Sequence, residues 1–301
     1  MSADGHEWTD GAYANDFVQR MWPGDYAGGA AGFWDYSNPI LRPSAGYIWD
    51  DAVKHGVSVR LYGEGALSGT SPAKGADPSV DPLLDTAYRP FDLTYSDQDR
   101  LAEWLREFRQ YEASGNLPAL EVVWLPSDHT AALKAGARTP YAMIADNDYA
   151  LGRMVQALTQ SRYWKDTLLV SIEDDAQAGP DHVSNQRMEA LVVSAFDNRG
   201  MVDHTHYSTS SVLRTIELLL GLPPMSQFDA SATPLAAVFT QTPDLRVWKA
   251  SLPSVSITQL NPSKGAGAQA SARLDWRTAD AVDPDEFHRI LDSYLKDIPI
   301  R

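Results

Sequence analysis

Cysteine is absent from the 301 residues. That excludes disulfides, thiolate zinc sites and thiol catalysis, so any metal ligand must come from His, Asp, Glu or Asn. Long apolar runs are absent too. Nothing approaches the ~18 consecutive apolar residues of a membrane span, and the stretch Ile216 to Leu220 is interrupted by Glu217. Positive charge is scarce: 25 Lys and Arg stand against 40 Asp and Glu, for a net charge of −15. Such a chain is a poor partner for nucleic acid or an anionic membrane surface. It would also repel a phosphorylated ligand unless bound cations reversed the local field. Residues 1–30 carry neither a basic n-region nor an apolar h-region, so no signal peptide is expected in them and the compartment stays open.

What is present is an ordinary globular composition, 44% hydrophobic and 22% charged, enough for one large domain with a sizeable core. Trp8, Ala12, Phe17, Val18, Met21 and Trp22 recur at helical spacing until Pro23-Gly24. Residues 25–46 read as a loop, 48–55 as a short helix stopped by Gly56, and 57–62 as a strand. Residues 63–95 form a Pro/Gly-rich stretch too long for a plain connection, which predicts a segment covering a site. A helix over 98–114, a strand over 120–125, a helix over 147–161 and an apolar strand within 166–172 follow. The last of these, nearly continuous in apolar residues, predicts burial on both faces of a parallel sheet. A strand over 190–196, a helix over 208–220 capped by Gly221 and irregular structure over 222–260 come next. The chain closes with a mobile linker over 261–275 and a helix over 284–296. Strands alternating with helices from residue 48 to 220 predict an α/β fold, a mostly parallel sheet flanked by helices. Ligands in such sheets bind beyond the carboxyl ends of the strands.

Polar clusters fall at those ends. Glu173-Asp174-Asp175 follows the apolar strand, with Asp181-His182 after a Gly-Pro turn. Three adjacent carboxylates repel one another unless a cation sits among them; a solvated acidic turn is the other reading. Asp128-His129 follows the strand at 120–125 and suits a ligand with its supporting partner, or a structural pair. Asp203-His204-Thr205-His206 precedes a helix and reads equally as a cap and surface loop. Ser2 lies at the start of a helix, where backbone N–H groups favour a phosphate.

These pieces stand in the order of a known family. The stretches Trp124-Leu125-Pro126-Ser127-Asp128-His129-Thr130, Ala145-Asp146-Asn147-Asp148-Tyr149-Ala150-Leu151-Gly152-Arg153 and Trp164-Lys165-Asp166-Thr167 carry the likeness. So do residues 173–182, Val202-Asp203-His204-Thr205, and the run from Gly221 to Asp229. Together with the opening Ser2 to Trp22, the chain resembles the phosphoesterase family of phospholipases C and acid phosphatases, a branch of the alkaline phosphatase superfamily. It is similar in particular to the bacterial phosphoesterase domain found with YVTN-type β-propellers. The likeness covers most of residues 1–245, leaving 246–301 as linker and a C-terminal helix packed on the same domain.

The resemblance implies Ser2 as a nucleophile that also touches metal, with His129 and His182 as catalytic histidines. It implies Asp174, Asp175, Asp128 and His204 at a divalent metal (zinc, manganese, iron or calcium), and His6 and Asp181 at the substrate. Asp148 matches a helix-start aspartate. The activity implied is hydrolysis of a small-molecule phosphate ester: serine attacks phosphorus, an alcohol leaves, and water hydrolyses the phosphoserine. The family also carries an Asn-containing acidic motif on a strand before the nucleophile. That motif does not occur upstream of Ser2 in these residues, so the expected domain lacks its first strand and one metal ligand. Its expected partners are a β-propeller or the segment carrying that strand. The alternative is a non-catalytic remnant that binds a metal or a partner protein. No His-Glu-x-x-His and no sulfatase signature is present.

Overall fold

The computed structural model describes residues 2–20, 38–174, 187–265, 267–277 and 281–296, without the side chains of residues 2–4, 284 and 295. The elements positioning the site are helix α1 (Ser2–Gly11), helix α2 (Ile48–Lys54), strand β1 (Val59–Tyr62), helix α3 (Asp97–Ser114) and strand β2 (Leu120–Val123). Helix α4 (Pro140–Gln160), strands β3 (Leu168–Ile172) and β4 (Ala190–Ser194), and helix α5 (Thr209–Leu220) follow. Helices α6 (Gln227–Ser231), α7 (Ala268–Ser271) and α8 (Pro284–Lys296) complete the described chain.

Local chemistry fixes the helix ends. Ser96 accepts the Asp99 amide at the start of α3, and Gly115, left-handed at φ 78°, closes it. Ser208 and Gly221 bracket α5, where the Ser208 amide donates to the Ser211 hydroxyl and Gly221 is left-handed at φ 71°. Helix α4 begins at Pro140, seven residues before the expected Asn147, because Thr139 caps the Ala142 amide and Pro140 fits the first turn. Asp148 therefore lies inside the helix rather than at its start. The opening helix is also shorter than its periodicity suggests: it ends at Gly11, Ala12 turns to φ 52°, and helix resumes over 16–20.

Among the described residues the sheet is not one continuous layer. β1 and β2 pair in parallel, Val59 opposite Leu120 and Tyr62 opposite Val123. β3 pairs with β4 antiparallel, Leu168 opposite Ser194 and Ile172 opposite Ala190. The two pairs form separate two-stranded sheets. The parallel surroundings expected for the apolar run at 166–172 are thus replaced by an antiparallel partner. All five of its residues are only half-buried, since an apolar run reports burial but not strand direction.

Two cores flank these pairs. One joins α2, β1 and α5 through Trp49, Ala52, Leu61, Leu120 and Leu213. The other joins α3 and α4 through Leu101, Trp104, Phe108, Met154 and Leu158. The long stretch after β1 is held against α3 by Arg100, fully buried, whose guanidinium donates to the carbonyls of Arg89, Pro90, Asp92 and Tyr95 and pairs with Asp97. That anchoring sets Phe91 against Trp124 and His129, as expected of a segment covering a site.

The Gly/Ala/Ser-rich stretch 261–275, expected to be a mobile linker, is docked through its described residues. Asn261 is buried and its amide donates to the carbonyls of Ala132, Lys134 and Arg138. The buried Ser271 hydroxyl accepts the Leu133 amide. Phe287 and Ile290 of α8 pack on Ala132 and Leu133. Small side chains here allow close approach rather than freedom.

Candidate active site

The carboxyl ends of β1, β2 and β3 converge on one polar cluster. β1 is followed by Gly63-Glu64-Gly65, and both glycines are left-handed, at φ 89° and 69°. This turn, costly for any residue with a Cβ, directs Glu64 inward, where it is 5% exposed. His6 and Asp10 share one face of α1 four residues apart. His6 Nδ1 lies 3.1 Å from Glu64 Oε1 and 3.9 Å from Asp10 Oδ2, while Nε2 lies 3.7 Å from Asp174 Oδ2.

Helix α1 reaches this position because residue 5 is glycine. A Cβ there would stand 2.4 Å from the Asp174 carbonyl oxygen, well inside contact distance. The end of β3 therefore rests directly on the α1 backbone.

One imidazole faces three carboxylates in a buried setting, and the electrostatics record the excess. Burial by itself would lower the pKa of His6. The charges of Glu64 and Asp174, with hydrogen bonds to Asp10 and Glu64, outweigh it and hold the imidazole well above its ordinary range. Neighbouring Glu7 is pushed up to about 8 by burial, against the Tyr47 hydroxyl that donates to its Oε1 at 2.8 Å. A divalent cation fits the cluster: ligand atoms of His6, Asp10 and Glu64 all lie within 4.8 Å of one another. One nitrogen with carboxylate oxygens suits zinc, manganese or iron.

A second acidic pair lies beside it. Asp128, after β2, is raised well above the ordinary carboxylate range, by burial first and then by Glu173. Glu173 is raised as well, chiefly by burial. Like charges this close do not both ionise cheaply, which favours a proton shared between them. Asn147 of α4 positions Asp128: its amide donates to Leu125 O at 2.6 Å and to Asp128 Oδ1 and Asp97 Oδ2 at 3.2 Å each. Asp97 and Asp146, fully buried, tie this corner to Ser127 and Arg138.

Both clusters open on a cavity of about 980 Å³, lined at its polar end by His6, Asp10, Glu64, Asp128, His129 and Asp174. His129 sits between Phe91 and Phe287, with Nδ1 3.0 Å from the Thr130 carbonyl. A carbonyl only accepts, so Nδ1 carries a proton.

Of the residues expected from sequence, the structure brings together His6, Asp128, His129 and Asp174. His204 lies in an exposed loop shaped by Asp203, whose carboxylate accepts from Thr205 and Tyr207, and it does not line the cavity. Asp175, Asp181 and His182 lie outside the described residues, as does the side chain of Ser2, whose backbone opens α1. The expectation put His6 at substrate; among the described residues its ring faces Glu64, Asp10 and Asp174. Sequence reading missed Asp10, Glu64 and Asn147. The signals were present: Asp10 follows His6 by one helical turn, and Glu64 stands between two glycines at a strand end.

No curated protein matches the chain. The sequence profile of the phosphoesterase family matches residues 22–223, about two thirds of the chain. That span contains β1 to β4, Glu64, Asp128, Asn147 and Asp174, and leaves out the helix that carries His6 and Asp10. This chain belongs to the phosphoesterase family.

Proposed function

We propose that the chain hydrolyses phosphate esters with a divalent cation held by His6, Asp10 and Glu64 beside Asp174 and with Ser2 as the nucleophile. The observation that carries this reading is the buried His6–Asp10–Glu64 cluster at the strand ends, in a family that acts on phosphate esters and generally depends on metal. Ser2 precedes His6 by one helical turn, so positions 2, 6 and 10 fall along one face of α1. The helix N-terminus favours the anionic phosphoryl group. When bound, the cation would offset the phosphate charge and favour the ionised serine hydroxyl. The serine oxygen bonds to phosphorus, the ester P–O bond breaks, and the alcohol departs with a proton. The Asp128–Glu173 pair, both raised by burial, supports that donation. Water then cleaves the phosphoserine, its oxygen leaving on inorganic phosphate and a proton returning to the serine hydroxyl. Periplasmic or secreted placement, and a companion strand or propeller, belong to the same reading by resemblance.

The test is metal binding by calorimetry together with aryl phosphate turnover, on this chain and on a version extended upstream. Metal-dependent turnover, lost in Ser2→Ala while metal binding persists, is the expected result. Glu64→Gln should weaken metal binding by roughly 10–100-fold. Metal binding without turnover in either version would instead favour a non-catalytic remnant. Absence of both would end the catalytic reading.

A further inference from the structure

His129 follows β2, but its ring is set by residues far along the chain. Phe91 meets the imidazole edge-on at 5.3 Å between centroids, and Phe287 of α8 packs on it at 5.9 Å, tilted by 31°. Phe287 is buried and is itself braced by Trp276, edge-on at 5.9 Å, whose indole donates to the Ser271 carbonyl. The backbone after His129 is strained. Thr130 sits at φ 60° and ψ 169°, a region almost confined to glycine and a marked outlier for a β-branched residue. Ala132 is left-handed at φ 44°. Such a backbone persists only where its surroundings over-determine it, and it tends to mark functional sites. Here the C-terminal segment does that work. Asn261 donates to the Ala132 carbonyl, Ser271 accepts the Leu133 amide, and Phe287 and Ile290 pack on Ala132 and Leu133. All four of these residues lie outside the span 22–223 that the family profile matches.

We propose that Phe287 is a positioning residue of the candidate active site, through which α8 fixes the His129 imidazole where it lines the cavity. The hydrogen bond from Nδ1 to the Thr130 carbonyl restrains one edge of the ring. It does not by itself remove rotation about the side-chain bonds, which are broad for an imidazole. Two aromatic contacts, one from the covering segment and one from α8, remove that freedom before a ligand arrives, so the ordering cost is met in folding rather than in binding. If α8 only buried apolar surface, each of its core contacts would matter alike. A positioning role singles out Phe287, which touches the imidazole, from Ile290, which lies on the same helix face three residues on and packs on Leu133. The geometric part of the inference stands on its own; only its kinetic consequence rests on the catalytic reading.

Nitrogen-15 NMR of the imidazoles in the purified full chain tests it, by following solvent exchange of the His129 Nδ1 proton. Phe287→Leu keeps an apolar side chain in the core but loses the ring. It should speed that exchange by about ten-fold or more. Phe287→Tyr, which keeps the ring, should stay close to the parent. Ile290→Ala removes packing from the same face and should leave the exchange unchanged, with Ile290→Val in its place if the alanine variant does not fold. Circular dichroism checks the folding of each. With aryl phosphate, Phe287→Leu should lower kcat by roughly ten-fold or more at unchanged metal affinity, because the His6–Asp10–Glu64 cluster is built on other elements. Equal acceleration in Phe287→Leu and the Ile290 variant would reduce the effect to general loosening of α8 and overturn the proposal. So would unchanged exchange in Phe287→Leu. Absence of turnover in every version counts against the catalytic reading alone, since the exchange measurement decides this one.

Discussion

At position 5 the choice of amino acid decides how the site is built. Gly5 lies inside a helix, where glycine is otherwise a poor choice, and the Asp174 carbonyl occupies the space a Cβ would need. Gly5→Ala should improve helix propensity yet destabilise the protein by about 1–3 kcal/mol through overpacking, while displacing His6 from Asp174. Urea denaturation together with metal titration checks both effects; unchanged stability with unchanged metal affinity would show that the two elements separate freely. Glu64 illustrates the complementary case, a charged side chain directed inward by a backbone turn. Nothing in its own chemistry predicts burial, but glycines on either side mark a backbone that only glycine tolerates well.

At the scale of elements, α4 carries the corner that holds Asp128. Its first turn rests on Thr139, whose hydroxyl accepts the Ala142 amide at 3.2 Å, and Asn147 and Asp146 project from the next turns into the polar network. Thr139→Ala should cost about 1 kcal/mol of stability, read as a lower urea midpoint, whereas Thr139→Ser should cost a fraction of that. The start of this helix was misplaced in the sequence reading because periodicity locates apolar faces and not caps. By contrast α3 and α5, with a serine before and a glycine after, are legible to within a residue or so. β3 shows the opposite limit: its existence is plain from its apolar run, but its antiparallel partner is settled by tertiary structure.

For the whole molecule, acid burial dominates the dependence on pH. Glu7, held at about 8 by burial, and Glu121 on β2, held at about 7 by burial against the Trp104 indole, both keep protons in the folded state that the unfolded chain has released. The folded state therefore binds more protons between the unfolded value near 4.5 and those raised values. Stability must fall as pH rises through that window, by up to about 1.4 kcal/mol per pH unit for each group. Urea midpoints from pH 5 to 8 should decline, and Glu7→Gln, which imitates the protonated form, should flatten the decline. A midpoint that rises over that range would show that these carboxyls ionise without penalty. The net charge of −15 adds self-repulsion in the same direction.

The sequence by itself determined the alternation of strands and helices, the family likeness and the places where strands end in acidic or histidine-bearing turns. Those follow from local periodicity, capping chemistry and turn residues, which act over a few residues. It also determined that any metal site must be built from nitrogen and oxygen donors, since no thiol exists. Only the tertiary structure decided that Glu64 and Asp10 join His6, that Asn147 holds Asp128, that His204 stays on the surface, and that the described strands form two separate pairs. Each of these depends on groups tens of residues apart being brought within a few ångströms, and on burial that raises or suppresses their charge. The pattern of a single segment carries neither quantity.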